Sequence, residues 1–318
     1  MRVISAAEID AVLTFERLVE ALREAFAAKL VAPPRHHHAI DRGAETATLL
    51  LMPAWTGAGK ASYLATKLAT VFPGNAERGH PSVYATTLLM DGSTGEPLAA
   101  MDGTHLTLWR TAAASALAAS YLARQDASHM LMVGAGALAP FLIKAHATVR
   151  PIREIAIWNR DGARARKLAA ELSAKRPQKL TAVDNLESAV RQADIISCAT
   201  MTRTPLIRGA WLKPGAHIDL VGAFNLEMRE ADDEALQRAR VFIDTPAALK
   251  EGGDVAVALR DGAIKASQVR GDLEALVAGR VKGRVTGSDI TLFKSIGAAI
   301  EDLAAAVSVW EAASSETG

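Results

Sequence analysis

The chain has 318 residues, half of them apolar, enough to build roughly two domain cores. Its 36 basic and 35 acidic residues leave a net charge of +1, which excludes a strong field for nucleic acid or an anionic membrane. A single cysteine, Cys198, no 18-residue apolar run and no signal-peptide core in MRVISAAEID together predict a disulfide-free, cytoplasmic protein.

Residues 5–30 carry apolar side chains at helical spacing, with Ser5 and Thr14 placed to cap two successive helices. PPRHHHAI (33–40) breaks that pattern and starts an extended segment. TATLLLMPAW (46–55), YLATKLATVF (63–72) and YATTLLMD (84–91) predict strands, with turn sequences at PGN (73–75) and DGSTGEP (91–97). LTLWRTAAASALAASYLA (106–123) predicts an alanine-rich helix. From residue 130 short apolar runs alternate with amphipathic ones: strands at 130–133 and 152–159, then KLTAVD, DIISCAT, HIDLVGA and RVFIDT, with helices between several of them. That alternation predicts βαβ units and a mainly parallel sheet. The last stretch, 290–313, predicts one helix. The expected class is α/β. A Rossmann-type domain is expected over 124–292, after a separate α+β domain over 1–123.

Gly134-Ala135-Gly136-Ala137-Leu138-Ala139 fits the dinucleotide-binding pattern G-x-G-x-x-G/A between a strand and a helix. Gly134 permits the tight turn, Gly136 lets backbone approach a pyrophosphate, and Ala139 lets helix and strand pack closely. About 20 residues on, where an acid would grip the ribose of NAD, stand Asn159 and Arg160. A guanidinium there suits a 2′-phosphate, so NADP(H) is expected in preference to NAD(H). The alternatives are a solvated Arg160 and a ribose held by Asp161.

Arg35, Lys67 and Arg110 are isolated cations beside apolar stretches. A buried cation needs a partner, either a substrate carboxylate or an acid of the protein. His36, His37 and His38 follow one another on an extended chain and point to alternate faces, so they do not converge on a metal, and no metal is expected. Cys198 lies in a strand and reads as a small buried hydrophobe.

PPRHHH (33–38), KLATVFPGN (67–75), the segment 88–123 with its RTAA motif, VGAGALA (133–139), IWNR (157–160), VGAFNLEMREAD (221–232) and TLFKSIGAAIEDLAAA (291–306) together resemble the ornithine cyclodeaminase/μ-crystallin family. The resemblance spans nearly the whole chain. It implies a homodimer, a substrate and dimerisation domain in which 293–318 joins 1–123, a nicotinamide cofactor on the Rossmann domain, and a substrate region lined by Arg35, Lys67 and Arg110, with Arg110 binding a carboxylate. It assigns Asn159 and Arg160 to the adenosine phosphate, and Ser295 and Gly297 to the nicotinamide end. It extends the cofactor surface to Thr111, Ala199, Thr200, Met201, Val221 and Gly222. Cyclodeaminases of the family carry a catalytic Asp where this chain has Phe224, and the following LEMREAD resembles the imine-reducing branch that includes the Δ1-pyrroline-2-carboxylate reductases.

The resemblance therefore implies NADPH-dependent reduction of a small cyclic imino acid. Δ1-pyrroline-2-carboxylate would give L-proline and Δ1-piperideine-2-carboxylate would give L-pipecolate. Arg110 and Arg35 would clamp the carboxylate, Lys67 would polarise the site or relay a proton, and Phe224 would shed water from the imine. The rival readings are a cyclodeaminase using Asp219 or Glu227, an amino-acid dehydrogenase, an enzyme joining an acyclic keto acid to an amine, and a ligand-binding protein that holds NADPH without turnover.

Overall fold

The computed structural model describes residues 1–28, 30–43, 45–57 and 62–315. It divides into two compact units, Met1–Arg110 with Ala298–Gly318, and Thr111–Gly297. The chain opens with β1 (Arg2–Ile4), α1 (Ala6–Val12), α2 (Phe15–Ala27), β2 (His36–Asp41), β3 (Thr46–Trp55), β4 (Tyr63–Val71), β5 (Val83–Asp91), β6 (Pro97–Asp102) and α3 (Gly103–Leu122). It continues with β7 (His129–Val133), α4 (Ala139–Val149), β8 (Glu154–Trp158), α5 (Gly162–Ser173), β9 (Lys179–Ala182), α6 (Leu186–Gln192), β10 (Ile195–Cys198) and β11 (His217–Leu220). Then come α7 (Asp233–Arg238), β12 (Ala239–Ile243), α8 (Ala248–Glu251), α9 (Gly253–Arg260), β13 (Val269–Asp272), α10 (Leu273–Val277), β14 (Ile290–Lys294) and α11 (Ala299–Ser315).

In the first unit, Ser5 and Thr14 cap α1 and α2 as the sequence predicts, and Ser5 forms a reciprocal box with Glu8. A six-stranded sheet runs β1-β6-β5-β4-β3-β2, parallel only between β1 and β6. Its strands alternate. Ala65, Lys67 and Ala69 of β4 are buried, whereas Leu64, Thr66, Leu68 and Thr70 remain partly exposed on the opposite face. On the buried side α11 packs against α2, β3 and β4. The buried stripe of α2 runs through Phe15, Leu18, Val19, Leu22 and Phe26.

The second unit is an eight-stranded, wholly parallel sheet ordered β13-β12-β14-β11-β10-β7-β8-β9. This is the α/β architecture that the alternating runs predict.

One expectation fails. Residues 290–294 are not the first turns of a terminal helix. They form β14, inserted between β11 and β12, with Ile218 opposite Leu292 and Phe242 opposite Phe293. All five residues of β14 are buried, so the strand shows no period-2 alternation. The helical spacing of 299–313 extends across it, and an unbroken apolar run does not separate the two periods. The helix begins only after Gly297, whose φ of 83° ends the strand connection.

Candidate functional site

The glycine turn of the second unit follows β7. Gly134 has φ 110°, and a Cβ there would stand 2.7 Å from the carbonyl oxygen of Ala199, so the fold itself demands glycine. Gly136 is different. It is exposed, has no positive φ, and a Cβ built on it would meet nothing of the protein within 4 Å. Its small size therefore answers to nothing inside the chain, which fits the close approach of a pyrophosphate. Ala137 and Leu138 complete the turn, and α4 starts without a side-chain cap: Ala139 N–H donates to the Gly136 carbonyl, Pro140 has no N–H, and Phe141 N–H donates to the Leu138 carbonyl. Ala135 N–H donates to Asn159 Oδ1 at 3.3 Å, which ties the turn to the end of β8.

At that end Asn159 Nδ2 donates to the carbonyl of Asp161, and the Asp161 carboxylate accepts from Ala163 N–H as the cap of α5. Asp161 is thus occupied in starting a helix. Arg160 stands exposed beside it.

The loops after β10 and β11 carry Ala199, Thr200, Met201, Val221 and Gly222. One wholly buried carboxylate, Glu230, joins them. Its Oε1 accepts from Thr200 N–H at 2.7 Å and Thr200 Oγ1 at 2.8 Å, and its Oε2 accepts from Gly222 N–H at 2.7 Å and Ala223 N–H at 3.3 Å. A Cβ at Gly222 would overlap the Thr200 backbone, so this close approach requires glycine. Asp254 Oδ1 accepts from the backbone of Glu230 and Ala231, and Asp254 Oδ2 lies 3.2 Å from Lys294 Nζ. Burial raises the Glu230 pKa to about 7, against the attraction of Lys294. The Ser295–Gly297 loop hangs on Asp244 in the same way, through Ser295 Oγ at 3.2 Å and the amides of Ile296 and Gly297 at 2.6 Å. Thr111 is buried in α3 of the same unit.

Phe224 is 40% exposed on the loop after β11. Neither acid weighed as its substitute takes its place. Asp219 is wholly enclosed, accepting from Ser115 and Ser197 at 2.9 and 2.7 Å and facing His146 at 3.1 Å. Glu227 lies on the surface, paired with Arg203. Cys198 is buried and its thiol pKa is pushed up by that burial.

In the first unit, Lys67 on β4 and Arg110 on α3 meet the acids of α11. Lys67 Nζ lies 2.9 Å from both oxygens of Asp302. Arg110 Nη1 donates to Glu301 at 2.6 Å, and its Nε lies 3.0 Å from Asp302 Oδ1. All four are at most 5% exposed. Removing one member would strand opposite charges in the interior, a loss of about 3–5 kcal/mol. Burial, and then the nearby Arg110 charge, pull the Lys67 pKa down to about 8. Thr87, directly across from Lys67 on β5, keeps its hydroxyl buried without a hydrogen-bond partner. Arg35 is half-buried one residue before β2, and the pairing of His36 with Leu51 carries it toward the Met52–Lys67–Thr87 row. His36 to His38 form the strand itself, largely exposed.

Glu301, Asp302, Glu230, Asp254 and Asp244 were not singled out from the sequence. A signal existed for the first two: consecutive acids in the otherwise apolar run AAIEDLAAAV. Glu230 sits among the charged residues of MREADDEA, and nothing in that spacing marks which of them is buried.

The two glycines give a direct test. Gly136→Val should leave the melting temperature unchanged while weakening NADH or NADPH binding by at least about tenfold. Titration by fluorescence beside a melting curve reads both, and unchanged binding would remove the pyrophosphate from this turn.

Comparison with known proteins places the chain in a family. The model of the ornithine cyclodeaminase/mu-crystallin family matches residues 2–317. Protein SAR DEFICIENT 4 of Arabidopsis thaliana is 40% identical over 97% of this chain and 96% of its own length. The Δ1-pyrroline-2-carboxylate reductase of Colwellia psychrerythraea is 37% identical over 98% of this chain and 99% of its own. The structure of Thermococcus litoralis Δ1-pyrroline-2-carboxylate reductase in complex with NADH and L-proline superposes with a TM-score of 0.93 at 33% identity, covering 100% of this chain and 98% of that one. The chain belongs to the ornithine cyclodeaminase/mu-crystallin family.

Proposed function

We propose that this protein reduces cyclic ketimine acids with NADPH, converting Δ1-pyrroline-2-carboxylate to L-proline and Δ1-piperideine-2-carboxylate to L-pipecolate. The coarser statement, an oxidoreductase acting on C=N with a nicotinamide nucleotide, follows from its whole-length kinship to reductases of that name. The observation that carries the finer reading is the buried Lys67–Asp302–Arg110 group. Arg110, oriented by Glu301 and Asp302 and assisted by Arg35, anchors the substrate carboxylate. Lys67, held by Asp302, gives a proton to the ring nitrogen. The bound reduced nucleotide supplies the hydride that C2 requires, so one hydride and one proton turn the imine into the amine. A lysine whose pKa is about 8 is suited to that proton transfer near neutral pH. Phe224 stands at the position where cyclodeaminases of the family carry an acid, so the chain lacks there the group that ring-closing deamination would need.

NADPH is favoured because Asn159, not an acid, follows β8, because Asp161 is engaged as a cap, and because exposed Arg160 suits a 2′-phosphate. The Thermococcus relative holds NADH, so the preference rests on Arg160. The partly exposed face of the first unit's sheet carries Leu51 and Leu68 in one cross-strand pair and Leu64 and Met90 in another. A second copy of the chain would cover that face, giving a homodimer.

Four measurements test these statements. Purified protein should oxidise NADPH when either imine is supplied, and a protein that binds NADPH without oxidising it sinks the proposal. Turnover should fall as pH rises through about 8, where Lys67 loses its proton, and Lys67→Arg should remove that limb. A limb kept by the variant would belong to the substrate instead. Arg160→Ala should cut the NADPH-to-NADH preference by roughly tenfold, equivalent to the 1–2 kcal/mol of a charge-assisted contact. Light scattering should give twice the 33.6 kDa chain mass, and a monomer would refute the paired sheet face.

A further inference from the structure

The strand-end loops of the second unit raise a question that the catalytic reading leaves open: what holds them in the form that receives a nucleotide? Thr200 and Gly222 lie on separate loops, after β10 and β11, and Glu230 joins them. Both of its oxygens are used, and all four donors are N–H or O–H groups. A carboxylate can accept all four. A carboxylic acid accepts fewer: protonated on Oε2 it meets two N–H groups, and protonated on Oε1 it must turn its O–H to the Thr200 hydroxyl and give up the bond accepted from it.

We propose that the ionised Glu230 carboxylate is the positioning residue for the nicotinamide nucleotide, and that cofactor affinity requires its charge. The proposal rests on the reading that the nucleotide lies along the Thr200 and Gly222 loops. Glu230 touches no substrate atom in this account. It acts through the backbone of Thr200, Gly222 and Ala223. The charged and titratable groups facing it are Lys294 of β14, Asp254 of α9 and the Cys198 thiol of β10. Lys294 favours the charged form, and Asp254 and burial oppose it. That balance places the titration within the working pH range, at about 7.

The sign separates binding from stability. The folded-state pKa, raised from 4.5 to about 7, means that protonating Glu230 favours the folded state. Its contribution to stability is present below the unfolded value and is lost as pH rises through about 7. Acidification through this group therefore loosens the two loops without unfolding the protein.

The test uses the full-length protein and NADH, which lacks the 2′-phosphate that itself titrates near pH 6. The wild-type dissociation constant for NADH should rise several-fold as pH falls from about 8 to about 6, with the melting curve retained. Glu230→Gln places an N–H group against donors, as the protonated acid does. At about pH 8 it should bind NADH at least tenfold more weakly than wild type, with a flat pH profile. Glu230→Asp should restore the pH dependence, if not the full affinity. Wild-type affinity in Glu230→Gln overturns the proposal, as does a pH profile shared by both proteins. If Glu230→Gln fails to fold, the wild-type profile decides, and a flat one overturns it. A wild-type protein that binds no NADH at any pH instead defeats the nucleotide reading itself.

Discussion

Backbone N–H groups that leave the carboxyl edge of a parallel sheet have lost their strand partners, and each must find another acceptor or water. Here buried carboxylates supply it. Glu230 takes the amides of Thr200, Gly222 and Ala223, Asp254 takes those of Glu230 and Ala231, and Asp244 takes those of Ile296 and Gly297. Desolvating an acid costs several kcal/mol, and these charge-assisted bonds, with Lys294 beside Asp254, offset it. The result is a set of loops fixed by the interior, with their outer surfaces left for a ligand. The rule that ligands settle at the carboxyl ends of open α/β sheets has, in this chain, an electrostatic foundation.

The first unit solves a different problem. Lys67, Arg110, Glu301 and Asp302 sum to zero charge, so the group projects no net field toward an anion. Recognition of a carboxylate would then rest on the fixed directions of N–H donors, as befits a protein whose total charge is +1. Asp302 also couples the two cations, since a shift of its carboxylate disturbs both at once.

Much of this was legible in the residues. Ser5 and Thr14 announced their helices, period-2 runs announced β3 to β5, and the alternation after residue 130 announced the parallel sheet. Gly134 and Gly136 were found by motif. The structure separates their reasons, a positive φ for one and open space for the other. Lys67 and Arg110 were picked out as cations in apolar surroundings, and the question of protein acid or substrate was left open. The structure supplies the protein acids, Glu301 and Asp302. Glu301 and Asp302 were missed although two acids in an apolar run marked them, whereas β14 and Glu230 had no local signature. β14 is buried on both faces and so lacks alternation, and Glu230 is distinguished from its acidic neighbours only by tertiary enclosure.

The position of β14 has a consequence for biosynthesis. It comes last in chain order among the described strands, yet it sits between β11 and β12, and α11, which follows it in the sequence, packs on β3, β4 and α2 of the first unit. A nascent chain emerging from the ribosome must therefore carry two unfinished cores until residues 290–315 appear. Until then the edges of β11 and β12 stand open, at a stage when unpaired strands invite aggregation. Both sheets therefore wait on one late stretch of chain, β14 for the parallel sheet and α11 for the other.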